Sequence, residues 1–258
     1  MTATRALITN DDGVESEGLG RLAASAVAFG LEVVVAAPLH ESSGSSAALA
    51  AVQDGQRIVV EERTLPGLDG VPVFGVDAAP GFIALIATRE AFGPAPDIVL
   101  SGVNRGLNAG HAVLHSGTVG AAMTGRINGC RAMAVSIDVG EVLHWDTVEP
   151  VLHRLLPVLV DLDRPVVLNV NVPNVPEPEL RGIRQAALAS FGAVQTTISR
   201  VDAGSLQIGV ADMVSELEPG TDAALVASNF ATVTALEPLC SSDAPLGFDA
   251  LAAEVDRR

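Results

Sequence analysis

Short uninterrupted apolar runs alternate with longer stretches of helical spacing along the first two-thirds of this chain. The clearest runs are R-A-L-I-T at 5–9, E-V-V-V-A-A at 32–37, D-I-V-L-S at 97–101, A-M-A-V-S at 132–136 and V-V-L-N-V-N-V at 166–172. A strand that is apolar at nearly every position has no face left for water, so it belongs inside a sheet covered on both sides. Between the runs, residues 18–29 read as a helix bounded by Gly18 and Gly30. A second helix starts at Pro80 and runs to about 91, and a third spans 117–128 and is closed by Gly129. Asp146 with Glu149 three residues on gives a capping signal for a fourth at 147–161. Weaker strands at 57–62 and 71–75 flank a Pro-Gly turn at 66–67. Strand and helix in succession give an α/β class, a mostly parallel sheet with helices on both faces.

After Pro173 the texture changes. P-N-V-P-E-P-E at 173–179 reads as a linker, and 182–238 as alternating strands and Gly turns without helices. The expected organisation is a core at 1–175 and a β-rich C-terminal arm at 176–258. The arm packs on the core or on a partner subunit.

Composition removes several chemistries. All 15 basic residues are arginine, against 31 acidic ones, for a net charge of −16; tyrosine is absent as well. Without lysine there is no Walker A loop, pyridoxal Schiff base or kinase-type ATP lysine. The acidic balance argues against duplex nucleic acid and anionic membrane as partners. N-D-D-G-V-E-S-E-G after the first strand lacks the G-x-G-x-x-G turn of a dinucleotide-binding dehydrogenase. Cys130 and Cys240 stand too far apart for a metal knuckle and read as free buried thiols in a reducing compartment. The N-terminal residues run straight into a strand, and no window has the apolar length of a membrane span, so the expected location is the cytoplasm.

In open parallel sheets ligands collect beyond the carboxyl ends of the strands, and three of those ends are polar here. Asn10-Asp11-Asp12-Gly13 follows the first strand. Adjacent carboxylates repel unless a cation neutralises them, and hard divalent ions take such oxygens; the alternative is an ordinary Asx turn. Ser42-Ser43-Gly44-Ser45 follows the second strand and supplies hydroxyls, or is a flexible loop. S-G-V-N-R-G-L-N-A-G at 101–110 leads to H-S-G-T at 115–118, where a helix start with Ser and Thr hydroxyls can hold an anion without lysine, or Ser116 simply caps the helix. Together the three clusters suit metal-assisted hydrolysis of a phosphate ester.

I-T-N-D-D-G-V-E-S-E-G-L at 8–19, S-G at 43–44, P-D-I-V-L-S-G-V-N-R-G-L-N-A-G at 96–110, H-S-G-T-V-G-A-A-M-T-G at 115–125 and L-N-V-N-V-P at 168–173 resemble the SurE survival-protein family. G-T-D at 220–222 resembles it more weakly. The resemblance implies a Rossmann-like core and a C-terminal oligomerisation arm, in a homodimer or homotetramer. It also implies a metal-dependent 5′-nucleotidase or acid-phosphatase type of hydrolase, which releases nucleoside and phosphate from nucleoside 5′(3′)-monophosphates and sometimes cleaves short polyphosphate. The cofactor it implies is one divalent ion per subunit, Mg²⁺ or Mn²⁺. The family's metal ligands fall on Asp11, Asp12, Ser43 and Asn104, with Asp11, Asp12 and Asn104 at the chemistry. Its phosphate contacts fall on Ser43, Gly44, Asn108, Ser116, Gly117 and Thr118.

The surroundings depart from the pattern. The family's basic A-P-D-R-x-R-S-G loop is A-P-L-H-E-S-S-G at 37–44, its G-T-P-x-D-C-V is G-V-D-A-A-P-G at 75–81, and its acidic residue before S-G-T is Ala112. Two alternatives stay open: a metal- and phosphate-binding protein with little catalysis, and a phosphatase for a non-nucleotide phosphate. Asp11 or Asp12 acting as base or nucleophile is open too. His40, His111 and His115 share these loops and are candidate leaving-group acids. His144 and His153 read as distant from the clusters, and Trp145 as packing.

Overall fold

The structure, a computed structural model, describes residues 4–51, 53–54, 57–190, 194–200, 206–212 and 217–241. Its elements in chain order are β1 (Arg5–Thr9), α1 (Glu17–Phe29), β2 (Glu32–Pro38), β3 (Gln53–Asp54), β4 (Arg57–Ile58), β5 (Val60–Arg63), β6 (Val73–Val76), α2 (Pro80–Ala87) and β7 (Ile98–Arg105). They continue with α3 (Gly117–Ile127), β8 (Arg131–Ile137), α4 (Val148–Val160), β9 (Val167–Val172), β10 (Ile183–Gln185), β11 (Val194–Arg200), β12 (Leu206–Asp212), α5 (Asp222–Val226) and β13 (Ala231–Leu236).

Nine strands form one sheet in the order β10-β13-β9-β8-β7-β1-β2-β6-β5. From β9 to β6 every neighbouring pair is parallel, while β5 on β6 and β13 on β9 are antiparallel. The apolar runs explain this directly. Ala6, Ile8, Val33, Val35, Ile98 and Leu100 face one layer, where Leu19 and Leu22 of α1 and Leu152 and Leu156 of α4 cover them. Leu7, Val34, Ala36 and Val99 alternate to the other face, under Ile83 and Ala84 of α2 and Val119 and Ala122 of α3. The mostly parallel α/β sheet with helices on both faces is therefore the architecture found.

Five details differ from the sequence expectation. Helix α2 stops at Ala87, and Glu90 turns the chain with a φ of 65°. Asp146 does not cap α4: it lies in a 3-10 turn at Trp145–Thr147 and reaches the Arg21 guanidinium at 3.5 Å, a full charge where a helix end offers a partial one. Strand β7 runs on through Asn104 and Arg105, which places both in the strand rather than in the loop after it. The C-terminal region contains a helix, α5, and returns β10 and β13 to the main sheet; β11 and β12 pair as a separate antiparallel hairpin. Cys130 is buried as expected, but Cys240 is exposed. No helix among the described residues is long and apolar enough to cross a membrane.

Helix α1 reaches β7 through Gly18, where an added Cβ would lie 2.1 Å from the Val103 carbonyl oxygen and 3.1 Å from the Trp145 ring. Gly18→Ala must push the helix off the sheet, and urea denaturation is expected to show a loss of about 1–3 kcal/mol. Gly20→Ala, two residues on with nothing within 4 Å of its Cβ, is expected to gain up to about 1 kcal/mol in the same assay.

Candidate active site

The sheet order sets β1 between β2 and β7, so the polar segments after these strands meet at one edge. Backbone bonds tie them together. Ser42 N–H donates to the Asp11 carbonyl at 2.7 Å, Val14 N–H donates to the Pro38 carbonyl at 2.8 Å, and Arg105 N–H donates to the Asp12 carboxylate at 3.3 Å. The Asn10 amide fixes the turn between β1 and α1, donating to the Gly13 carbonyl and to the Ser16 hydroxyl that caps α1.

Asp11 is only 4% exposed and lies under the first turn of α3. The Thr118 hydroxyl donates to its Oδ1 at 2.5 Å. Gly117 allows this approach, since an added Cβ would stand 2.8 Å from Asp11 Oδ2 and 2.7 Å from Ser45 Oγ. Burial pushes the Asp11 carboxyl above its ordinary value, and the Thr118 hydroxyl with the Thr118 and Gly117 amides works against that shift. Asp12 is pushed up to about 6, by burial first and then by the charges of Asp11 and Glu41, with the Arg105 amide opposing. Ser116 accepts the Val119 N–H at 3.0 Å and caps α3.

Ser43 and Gly44 are exposed on the loop after β2, and the Ser43 hydroxyl donates to Glu41 Oε1 at 2.7 Å. Asn104 donates its Nδ2 to the Gly106 carbonyl at 2.7 Å, which leaves its amide oxygen for another partner. Asn108 is buried. Its carbonyl accepts from Asn169 (2.7 Å) and Asn171 (3.0 Å), its N–H donates to Asn171 Oδ1 (2.9 Å), and its Nδ2 donates to Ser136 Oγ (2.8 Å).

A cleft of about 1180 Å³ opens over Asp12 and Ser43, walled in part by Leu39, His40, Arg105, Val139, His144 and Trp145. His144 is thus at the cleft rather than away from it, because the segment after β8 folds back over the β1 tip; Trp145 packs against α1 as expected and lines the cleft as well. His111 and His115 belong to an exposed 3-10 turn at Gly110–His115 and do not line the cleft. Sequence reasoning also gave no role to Asn169, Asn171 and Asp222. The first two were visible as polar residues at alternate positions of an otherwise apolar strand, which one buried face must satisfy. Asp222 is fully buried and accepts from the Gly110, Ala189 and Ala223 amides at 2.8, 3.0 and 2.8 Å; nothing local announces that partnership across 112 residues.

The donors gathered here are oxygens, and among the described residues no group of three or more His, Cys, Asp or Glu side chains is placed to hold a metal. Burial and then the charge of the adjacent Asp11 raise Asp12, and Ser45 Oγ beside Asp11 is buried without a partner. That excess of negative charge and of oxygen lone pairs fits a hard divalent cation.

Because the folded-state value of Asp12 lies above the ordinary 3.8, its contribution is lost as pH rises from there through about 6, and the ionised group strains the metal-free fold at pH 7. Asp12→Asn is expected to stabilise the metal-free protein at pH 7 by about 1–2 kcal/mol, allowing for solvent screening, with the gain gone below about pH 4. Chemical denaturation of both proteins in EDTA across that range checks it.

Known proteins are similar to this chain over most of its length. The family model described as Survival protein SurE matches residues 6–194. The 5′/3′-nucleotidase SurE of Edwardsiella ictaluri is 38% identical over 238 residues, covering 90% of this chain and 89% of that one. The 5′-nucleotidase SurE of Nitrosococcus oceani is 34% identical over 238 residues, covering 90% and 91%. The crystal structure of SurE protein from Aquifex aeolicus superposes with a TM-score of 0.76 at 26% identity, over 98% of this chain and 99% of that one. With the family's motifs gathered at one sheet edge and its model matched over most of the length, the chain belongs to the SurE family.

Proposed function

We propose that this chain, a hydrolase of the SurE family, releases phosphate from nucleoside 5′- or 3′-monophosphates in the cytoplasm with one divalent ion, Mg²⁺ or Mn²⁺, per subunit. The observation that carries the reading is Asp12 lining a cleft with the buried carboxylate of Asp11 directly behind it, an excess of negative charge at one strand tip. The names of the relatives support a nucleotide as substrate.

Asp11, Asp12, Ser43 and Asn104 would hold the ion. When bound, such an ion polarises the phosphoryl group and lowers the pKa of a water. The remaining work belongs to the side chains. Thr118 commits its proton to Asp11 and so orients that carboxylate. Ser116 spends a lone pair on its cap and keeps its proton to donate to a phosphoryl oxygen. Asn108, held by Asn169, Asn171 and Ser136, offers its contact from a fixed position, with little entropy left to lose. Gly44, with nothing within 4 Å of where a Cβ would stand, leaves room for the phosphate beside its backbone. His40 and His144 are the imidazoles on the cleft wall that can return a proton to the leaving oxygen.

The assembly reading, a homodimer or homotetramer with 176–258 as the arm, is supported by the hairpin β11–β12, which lies outside the nine-stranded sheet.

The test is phosphate release from a panel of nucleoside monophosphates and an aryl phosphate, in EDTA, Mg²⁺ or Mn²⁺. Metal-dependent release is expected, falling at least about 100-fold in Asp12→Asn. An aryl phosphate or other ester preferred over every nucleotide moves the reading to a general phosphatase. Metal binding without release moves it to a binding protein.

A further inference from the structure

Asn108 stands between two glycines in left-handed backbone, Gly106 at φ 125° and Gly110 at φ 57°. Glycine has more conformations to lose than other residues, so a side chain on such a segment is only as well placed as the two ends are held. The first end is held within the sheet. The Gly106 N–H donates to the Ile137 carbonyl at 2.8 Å, and the Gly106 carbonyl accepts from Asn104 Nδ2 at 2.7 Å. The second end is held from α5: the Gly110 N–H donates to Asp222 Oδ2 at 2.8 Å.

Asp222 is itself fixed. Its side chain is fully buried, and its Oδ1 accepts the Ala189 and Ala223 N–H groups at 3.0 and 2.8 Å. A buried carboxylate needs such donors in place of water, and bonds to a charged acceptor are stronger than neutral ones. Between the two ends, the Asn108 peptide is bonded to Asn169 and Asn171, and one Nδ2 proton goes to Ser136. The second Nδ2 proton is the one that remains for a phosphoryl oxygen.

Resting on the reading that Asn108 meets the phosphate, we propose that Asp222 is a positioning residue of the phosphate site. Through Gly110 it holds the segment that carries Asn108 in the conformation that receives the phosphate, without touching the phosphate itself. Asp222→Asn isolates this bond. Its amide oxygen keeps the Ala189 and Ala223 bonds, so its nitrogen turns toward the Gly110 N–H and sets donor against donor.

The test is calorimetry of inorganic phosphate at saturating Mg²⁺ on the full chain, with Asp222→Asn, Asn108→Ala and the double variant. Asp222→Asn is expected to raise the phosphate Kd at least about fivefold, and to change it less than about twofold once Asn108 is already Ala. Mg²⁺ affinity without phosphate is expected to stay within about twofold. Unchanged phosphate affinity, equal losses in both backgrounds, or a parallel loss of Mg²⁺ affinity overturns the proposal. A second readout needs no variant and decides the matter should Asp222→Asn not fold. Coupling is reciprocal, so bound phosphate is expected to slow exchange of the wild-type Gly110 amide, followed by NMR, at least about fivefold. No slowing overturns the proposal. Coupled phosphate binding without turnover of any ester counts against the phosphatase reading while upholding the role of Asp222; a wild-type protein that binds no phosphate overturns both.

Discussion

Asp11 is buried beneath the first turn of α3, where the Thr118 hydroxyl and the Gly117 and Thr118 amides offset the cost of taking its charge out of water. The other parts of the site are hung from this contact. The loop after β2 is bonded to the Asp11 carbonyl, so it follows the β1 tip wherever that goes. Thr118 cannot reach Asp11 unless residue 117 lacks a side chain, which makes one missing methyl group a condition for the whole arrangement. The contact also divides the labour between neighbouring carboxylates. Burial raises both carboxyls; Asp11 has amides and a hydroxyl that oppose the rise, whereas Asp12 has one amide against burial and two negative neighbours, and its carboxyl rises to about 6.

The core and the three polar strand ends were legible in the sequence because both are written locally. An apolar run such as I-V-L at 98–100 admits few environments, and N-D-D-G directly after a strand can stand only at a strand tip. What escaped was whatever depends on a distant partner. Asp146 carries the signature of a helix cap, yet the Arg21 guanidinium, 125 residues away in sequence, takes it. Trp145 and His144 reach the cleft because the segment after β8 folds back over the β1 tip, a path with no local mark.

The C-terminal strands illustrate the same limit at larger scale. Their alternating pattern pointed to an antiparallel arm, and β13 is indeed antiparallel to β9, but it extends the main sheet. Its Thr232 and Thr234 stand opposite Asn171 and Asn169. The polar positions of β9 thus serve two structures at once, holding Asn108 in the site loop and facing the last strand.

Asp222 binds Gly110 across 112 residues of chain, from a helix made after almost all of the core strands. Closing so long a loop is entropically slow, and its reward arrives only when both ends are present. On a ribosome the strands β1 to β9 emerge first and can pair, yet the amide that positions the start of the 110–115 turn has no acceptor until residue 222 follows. Synthesis order therefore places the completion of the site near the end of folding, and a chain interrupted before α5 carries the sheet and the aspartates without the anchor of the loop above them.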